Sequence, residues 1–242
     1  TALVPAMALG GDPARAQELA ATLDGWGGPD LLATYETEMR PVAIRNVSEA
    51  TGNLKRMLSP RVVSPGPGMF EDTPEAERKR REFGDAYTEL MKREWFSIGI
   101  HLGYVYEGSP IIVPDGTPRP PDEVQTYVPT ARPGSRAPHV WLAPGRSILD
   151  LFGKEFVLLR FGPDAPDASA AAEAAQARRV PFRIVDIASP EAAALYERRL
   201  VLVRPDGQVA WRGDALPADA ERLIDAVRGA ENGQALGIAT AA

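Results

Sequence analysis

The chain has 242 residues, of which 44% are hydrophobic and 25% are charged, and its formal net charge is −6 at pH 7. This length allows one large domain or two small ones with a buried core, and no stretch reaches the roughly 18 uninterrupted apolar residues of a membrane span. A net negative charge does not favour binding to nucleic acid or to an anionic membrane surface, so we expect neither as a partner.

Two residue types set further limits. Cysteine is absent, which excludes disulfides, thiolate metal sites and thiol redox chemistry. The only histidines, His101 and His139, are too far apart in sequence for a zinc-binding pair at helical spacing, and we expect no metal.

Residues 1–11 lack the basic head of a secretory signal, which favours a cytoplasmic protein. Arginine outnumbers lysine 23 to 4, a composition typical of GC-rich bacterial genes.

Helical periodicity predicts two helices near the start of the chain. Asp12 and Pro13 have the character of a helix cap and first turn, and apolar residues recur at helical spacing until Gly25. Residues 31–40 carry a second helical pattern. Pro41 is expected to break or kink that helix before another begins.

A proline- and glycine-rich loop is predicted at 59–72, followed by a helix that Thr73 and Pro74 open and that runs to about Glu94. The charges at 75–82 interleave both signs at helical spacing, so we interpret them as a solvated face. The apolar stripe of this helix would comprise Phe83, Ala86, Tyr87, Leu90 and Met91.

The hydrophobic period changes to two at residues 98–106, which predicts a strand with a hairpin-like return at 111–113. Residues 114–138 contain seven prolines in 25 positions and are predicted to form an extended connector. We therefore divide the chain into a mainly helical domain with this strand pair, 1–130, and a second domain, 131–242.

The pattern of the second domain predicts an α/β (α+β) fold with the order β-α-β-α-β-β-α, which matches a thioredoxin-like sandwich. A redox member of that class would place its cysteines where this chain has 162–166 (GPDAP), so the fold argues for scaffolding or an interface. The predicted elements are strands 155–161, 182–187, 200–204 and 208–212, and helices 166–178, from 190, and 217–228.

Motifs for nucleotide or hydrolase chemistry are missing. The glycine pairs at 25–27 and 66–68 lack the third glycine of a dinucleotide fingerprint, and there is no phosphate loop or GxSxG elbow. Arg136 and His139 lie in a donor-rich segment. They either contact an anion or a cofactor, or they form hydrogen bonds that hold the connector against a neighbouring domain. His101 and the four tryptophans are interpreted as structural residues.

Five separated strings lie at residues 20–46, 99–114, 132–142, 147–156 and 202–212 (LVRPDGQVAWR). The first string combines a GWGGP turn with Leu31-Leu32, Tyr35-Glu36, Arg40-Pro41-Val42 and Arg45-Asn46. These strings resemble FAD-dependent aromatic hydroxylases of the phenol/phenylpropionate and polyketide-tailoring kind, and they occur in the family's order. The resemblance covers about residues 19–230.

The resemblance also shows what this sequence lacks. In such enzymes FAD is held by an amino-terminal GxGxxG unit, an Asp-Gly motif and a Gly-Asp-Ala motif, and none of the three is present. Residues 1–17 depart from the family where the third motif should end. The resemblance implies a carboxy-terminal hydroxylase part whose complete enzyme uses FAD, NAD(P)H and O2 on an aromatic substrate. Within this chain we expect no bound cofactor and identify no catalytic residue.

Two hypotheses follow. The chain is part of an aromatic hydroxylase, as a fragment or as a subunit completed by a separate flavin-binding half, or it is a non-catalytic thioredoxin-like module for structure or interaction. The first hypothesis predicts an exposed apolar face, with Ile98, Ile100 and Leu102 as candidates, and self-association or a partner. The aromatic substrate cannot be named from these residues.

Overall fold

A computed structural model of the chain describes residues 13–58 and 66–240. The described residues form two compact units: the first comprises 13–40, 105–120 and 129–240, and the second comprises 41–58, 66–104 and 121–128. The helices are α1 (Pro13–Leu23), α2 (Leu31–Met57), α3 (Pro74–Trp95), α4 (Ile98–Leu102), α5 (Ser169–Ala177), α6 (Pro190–Tyr196), α7 (Ala220–Val227) and α8 (Gly233–Thr240).

The predicted helix at the start of the chain is confirmed as α1, although Asp12, its proposed cap, lies outside the described residues. Ala16 and Ala20 of α1 are buried, and the helix ends just before Gly25, whose φ of +77° is readily adopted only by glycine. The predicted break of α2 at Pro41 is wrong. Pro41 lies exposed inside one continuous helix, which accommodates the loss of one backbone hydrogen bond.

Helix α3 begins as predicted, because the Thr73 hydroxyl accepts a hydrogen bond from the Ala76 backbone N–H at 3.2 Å. Its charged face is solvated, with exposed pairs such as Arg78–Glu75. Of the predicted apolar stripe only Met91 is fully buried.

The strand predicted at 98–106 is wrong, because residues 98–102 form helix α4. A Cβ on Gly99 would lie 1.9 Å from the Glu123 carbonyl oxygen, and the Gly99 N–H donates to the Val124 carbonyl at 3.0 Å. This close approach to another segment fixes the local conformation against the alternating pattern. The return predicted at 111–113 is not a strand either, but the Val113 N–H bonds to the Ala210 carbonyl at 2.8 Å.

The strands are β1 (Trp141–Ala143), β2 (Arg146–Ser147), β3 (Phe156–Phe161), β4 (Phe182–Ile187), β5 (Leu200–Val203) and β6 (Val209–Gly213), and a 3₁₀ turn lies at Ile148–Leu151. The predicted β-α-β-α-β-β-α order is confirmed in a four-stranded sheet with strand order β4-β3-β5-β6. The β3–β4 pair is parallel, and the β3–β5 and β5–β6 pairs are antiparallel. The pattern had not predicted helix α8, the small β1–β2 hairpin or the 3₁₀ turn.

The core of the first unit surrounds β3 and β5, and all four residues of β5 are buried.

The extended connector predicted at 114–138 is confirmed, since it contains no helix and no strand. It follows the outer edge of β6, where the Gly134 N–H donates to the Val209 carbonyl at 2.8 Å and the Val209 N–H donates to the Ser135 carbonyl at 2.9 Å. The connector thereby satisfies an edge that would otherwise expose unpaired backbone groups. Trp26 and Trp211 are buried as expected, whereas Trp95 and Trp141 are exposed.

The glycine-rich turn before α2 packs against the end of α7. The Gly28 N–H donates to the Arg228 carbonyl at 2.6 Å, and a Cβ on Gly28 would lie 2.3 Å from backbone atoms of Gly229 and Ala230. Gly28 therefore serves a close approach between two backbone segments of the first unit.

Gly28→Ala is expected to destabilise the protein by about 3 kcal/mol or more, because backbone atoms on both sides would have to move. The matched control is Gly84→Ala in α3, where an added Cβ meets no atom within 4 Å. The control should be neutral or raise stability by up to ~1 kcal/mol through helix propensity. Thermal and urea unfolding of both variants measure the difference, and equal stabilities would contradict this account of the turn.

Candidate functional site

The first candidate site lies at the carboxyl ends of the parallel strands β3 and β4, the edge at which α/β sheets commonly bind ligands. A cleft of about 560 Å³ is found there. Arg160 contributes its guanidinium, whose Nε lies 3.0 Å from Asp186 Oδ1, and the remaining walls are mainly apolar. The segment 162–166, where a thioredoxin-like enzyme would carry its thiols, contributes Gly162 and Pro163. Because the chain has no cysteine, this edge has no thiol nucleophile.

The second candidate site is a cluster of buried charges in the first unit. Arg204, directly after β5, is 2% exposed and donates to both carboxylate oxygens of Glu38 in α2, at 2.6 and 3.0 Å. It also donates to Asp206 Oδ2 at 2.7 Å. The Ser109 hydroxyl donates to Glu38 Oε1 at 2.6 Å, and the Tyr106 ring centroid lies 5.4 Å from Arg204 Cζ. A fork-shaped guanidinium is thus matched by two carboxylates and an aromatic face.

The local sequence explains how Arg204 and Asp206 come together. Pro205, Asp206 and Gly207 form the predicted turn between β5 and β6, and Gly207 adopts a φ of +86°. The Arg204 N–H donates to the Gln208 carbonyl at 2.8 Å, and Asp206 Oδ1 accepts from the Gln208 N–H at 3.0 Å. The turn therefore directs both charged side chains inward on the same short segment.

Glu18 of α1 adds a third carboxyl group to this cluster. Burial, and then the Glu38 carboxylate, raise the pKa of Glu18 from an ordinary 4.5 to about 8, against the opposing effect of Arg204. The Thr34 hydroxyl lies 3.3 Å from Glu18 Oε1 and 2.7 Å from the Leu31 carbonyl oxygen. Glu18 Oε2 has no hydrogen-bond partner in the described part of the chain. At neutral pH Glu18 is therefore mainly protonated.

The charged groups of the cluster are closed off from water. Burial alone would lower the pKa of Arg204, but the Asp206 and Glu38 carboxylates raise it above its usual value, so the guanidinium stays charged. Burial raises the pKa of Asp206, against the opposing effect of Arg204. Arg204 bonds to both Glu38 and Asp206, an arrangement that fits a structural clamp.

A second buried arginine fixes the connector. Arg212 of β6 donates to Asp115 Oδ2 at 2.6 Å, to the Thr117 hydroxyl at 3.0 Å and to Glu197 Oε2 at 2.8 Å. Although burial raises it, hydrogen bonds from Arg212 and Thr117 hold the pKa of Asp115 below its usual value. This arginine adjoins a cleft of about 320 Å³ that Trp211 and Asp214 also line.

The residues singled out in the sequence do not converge on one site. His139 is exposed, and its Nδ1 lies 2.7 Å from the Ser147 hydroxyl, which caps the 3₁₀ turn by accepting from the Leu149 N–H at 3.0 Å. Arg136 is half-buried and forms an isolated backbone bridge with Gln208. His101 in α4 is exposed, with its Nε2 3.3 Å from the Ser97 hydroxyl. The sequence had not indicated that Glu38 and Arg204 pair, although both stand inside the family-like strings.

The glycine-rich turn before α2 does not fit a flavin pyrophosphate. A dinucleotide loop needs glycines whose open side admits a pyrophosphate at a helix amino terminus. In the glycine-rich turn before α2 that space is filled: a Cβ on Gly28 would meet Gly229 and Ala230, and one on Gly27 would lie 2.8 Å from the Leu31 side chain. The turn binds other parts of the protein, and no step of chemistry through FAD is derived from it.

Within residues 13–58 and 66–240, no group of three or more histidine, aspartate or glutamate side chains is arranged to hold a metal ion. The same ranges contain no helix that combines the length and the apolar character needed to cross a bilayer.

Comparison with known proteins identifies similar chains. Residues 130–230 match the family model for the aromatic-ring hydroxylase C-terminal domain. Over 221 residues the chain is 34% identical to the FAD-dependent monooxygenase apdD of Emericella nidulans, covering 86% of this chain and 35% of that protein. It is also 34% identical to a 4-methyl-5-nitrocatechol 5-monooxygenase of Burkholderia, covering 88% of this chain and 38% of the relative.

Among solved structures, the rebeccamycin biosynthetic enzyme RebC with reduced flavin superposes with a TM-score of 0.80 at 47% identity. The match covers 90% of this chain and 40% of RebC. The chain therefore spans about two fifths or less of the length of the proteins that it matches.

Arg204→Met should destabilise the first unit by about 3–5 kcal/mol, because it leaves the Glu38 and Asp206 carboxylates buried without their cation. Arg204→Lys should recover only part of this loss, since an ammonium cannot donate to Glu38 in bidentate fashion. The control is Arg198→Met, which breaks the exposed pair with Asp214 and should cost less than ~1 kcal/mol. Urea unfolding measures all three, and a fully stable Arg204→Met variant would show that the clamp contributes nothing.

Glu18 predicts a specific pH dependence of stability. Its pKa is higher in the folded chain than its ordinary value of 4.5, so the folded state holds a proton that the unfolded state releases between about pH 4.5 and 8. The free energy of unfolding should therefore fall as the pH rises through this window, by at most ~1.4 kcal/mol per pH unit. Glu18→Gln should reduce this slope and be more stable than the wild type at pH 8, while the exposed control Glu173→Gln should keep it. Burial also raises the pKa of Asp206, which contributes a slope of the same sign. A slope that is unchanged in Glu18→Gln would show that Glu18 does not cause it.

Proposed function

We propose that this chain, which is homologous to the carboxy-terminal part of FAD-dependent aromatic-ring hydroxylases, supplies that part of such an enzyme. The proposal is supported by two matches that were obtained separately. The family model for the C-terminal domain covers residues 130–230, and 90% of the chain superposes on RebC at 47% identity. Sequence order and backbone geometry therefore favour the same class of protein.

In this proposal residues 131–242 form a thioredoxin-like domain without thiols. The order β4-β3-β5-β6, with one parallel and two antiparallel pairs, supports that interpretation, and the absence of cysteine removes the usual redox chemistry. The domain then acts as a scaffold. Its buried Arg204 binds Glu38 of α2, a helix whose Tyr35-Glu36 and Arg40-Pro41-Val42 strings belong to the hydroxylase-like part.

The complete enzyme in this proposal hydroxylates a phenolic or polyketide aromatic compound with NAD(P)H and O2. The names of the relatives support an aromatic substrate, since one is a monooxygenase of a nitrocatechol. The flavin supplies the oxygen chemistry in such enzymes, and the protein supplies orientation and exclusion of water. We place the reaction in the cytoplasm, where reduced nicotinamide is available, and the arginine-rich composition supports a bacterial source.

In this proposal the flavin-binding part lies outside residues 13–58 and 66–240, and the glycine-rich turn that is occupied by backbone atoms of residues 229 and 230 supports this. It is provided by another portion of the same polypeptide or by a separate subunit. Arg136 and His139 remain low-priority candidates for cofactor contacts, since Arg136 is half-buried and His139 already contacts Ser147.

The 242-residue chain alone is expected to bind no FAD and to consume no NADH or NADPH, because it lacks a pyrophosphate cradle. The measurement is isothermal titration of the purified chain with FAD, together with absorbance near 450 nm after gel filtration and nicotinamide oxidation at 340 nm. RebC, whose structure contains reduced flavin, is the positive control. A purified chain that carries flavin would refute the proposal that the flavin-binding part lies outside this chain.

A further inference from the structure

Two charged residues in the second half of α2, Arg45 and Glu49, bond to other parts of the second unit. Arg45 donates to Asp122 at 2.6 Å and to the Gly99 carbonyl at 3.1 Å, both within the second unit. Glu49 accepts two hydrogen bonds from Arg93 of α3, at 2.8 and 3.0 Å. These polar contacts attach α2 to the rest of the unit and occupy the side of the helix that usually carries apolar residues.

The opposite side of the same helix is apolar and exposed. Ile44, Val47, Leu54 and Leu58 are 58%, 64%, 54% and 70% exposed. The first three lie in α2, and Leu58 directly follows its last residue, Met57. At about 100° per residue the four positions fall within an arc of about 80°, which also contains Thr51, so they form one mainly apolar stripe. We call these four residues the α2 stripe. A helix with its charges inside and its apolar stripe outside has the pattern of an element whose partner is elsewhere.

The second unit as a whole has the same imbalance. Among its described residues only Val42, Ala76, Met91 and Val124 are buried hydrophobics. At the end of α3 and the start of α4, Trp95, Phe96 and Ile98 are 76%, 62% and 50% exposed. The sequence had suggested Ile98, Ile100 and Leu102 as the exposed face; Ile98 belongs to it, while Ile100 and Leu102 are half-buried.

We infer that the α2 stripe is the surface on which the flavin-carrying remainder of the hydroxylase docks. The inference rests on the proposed function. RebC, the similar structure that holds a flavin, has 60% of its length outside the match, since the match covers 40% of it. That remainder is a partner large enough to cover a stripe of about four helical turns. A second copy of this chain is the competing occupant.

The test uses the complete 242-residue chain joined to the portion of RebC that this chain does not match. A photo-crosslinking residue, benzoylphenylalanine, replaces Val47 or Leu54, and as a control it replaces Asn46, which is exposed on another side of α2. Crosslinked peptides are mapped by mass spectrometry. We expect crosslinks from positions 47 and 54 into the RebC-derived portion of the same molecule and none from position 46.

Polar substitution provides a second measurement. In the isolated chain Val47→Glu/Leu54→Glu should leave the melting temperature unchanged, because neither side chain is buried there. In the fusion the same pair should reduce the flavin retained on gel filtration by at least about tenfold, since two charges would be buried against an apolar surface. Asn46→Glu should retain the flavin in the fusion.

The outcomes separate the two proposals. Crosslinks between two copies, or dimers of the isolated chain that disappear in the double variant, would assign the stripe to self-association and overturn the docking inference. Flavin retention unchanged by the double variant would overturn it as well. A folded fusion that takes up no flavin even with Val47 and Leu54 intact would refute the proposed function, while its crosslinks would still show where the α2 stripe docks.

Discussion

The buried guanidinium of Arg204 is the constraint on which the first unit depends. Its pairing with Glu38 joins residues 166 positions apart, and it is enclosed by Asp206, Ser109 and the Tyr106 ring. A guanidinium that is 2% exposed is tolerated only with hydrogen-bonded anions around it. The hairpin turn, the first half of α2 and the start of the connector must therefore reach their positions together.

The proline-rich connector is held by a similar device. A segment with seven prolines in 25 positions cannot form a regular ladder of backbone hydrogen bonds, so side chains have to attach it. Arg212 binds Asp115 and Thr117, and Arg132 donates to the Thr117 carbonyl at 2.8 Å and to Glu107 at 2.9 Å. Arginine suits this task because its planar fork donates to several acceptors at once. The preference for arginine over lysine in the composition thus has a structural use in this chain.

The sequence predicted those parts of the fold that local pattern controls. Strand β4 agrees with its prediction at both ends, and the Pro205-Asp206-Gly207 turn lies where expected, because turn chemistry and alternation act over a few residues. The failures have long-range causes. Helix α4 replaces the predicted strand because Gly99 closely approaches residues 123–126, and α2 continues through Pro41 within a long helix. The Glu38–Arg204 pair could not be predicted, since no periodicity links residues so distant in sequence.

The two units solve the problem of burial in different ways. In the first unit the buried charges of Arg204 and Arg212 find partners within the unit, and the sheet packs in a core of buried apolar residues. In the second unit α2 uses Arg45 and Glu49 for internal contacts and leaves an apolar stripe outside. Exposed apolar surface of this extent is unfavourable in water unless a partner covers it. The second unit is therefore suited to bind a further domain through the exposed α2 stripe. In the first unit, the bond to Arg204 anchors the first half of α2 at Glu38.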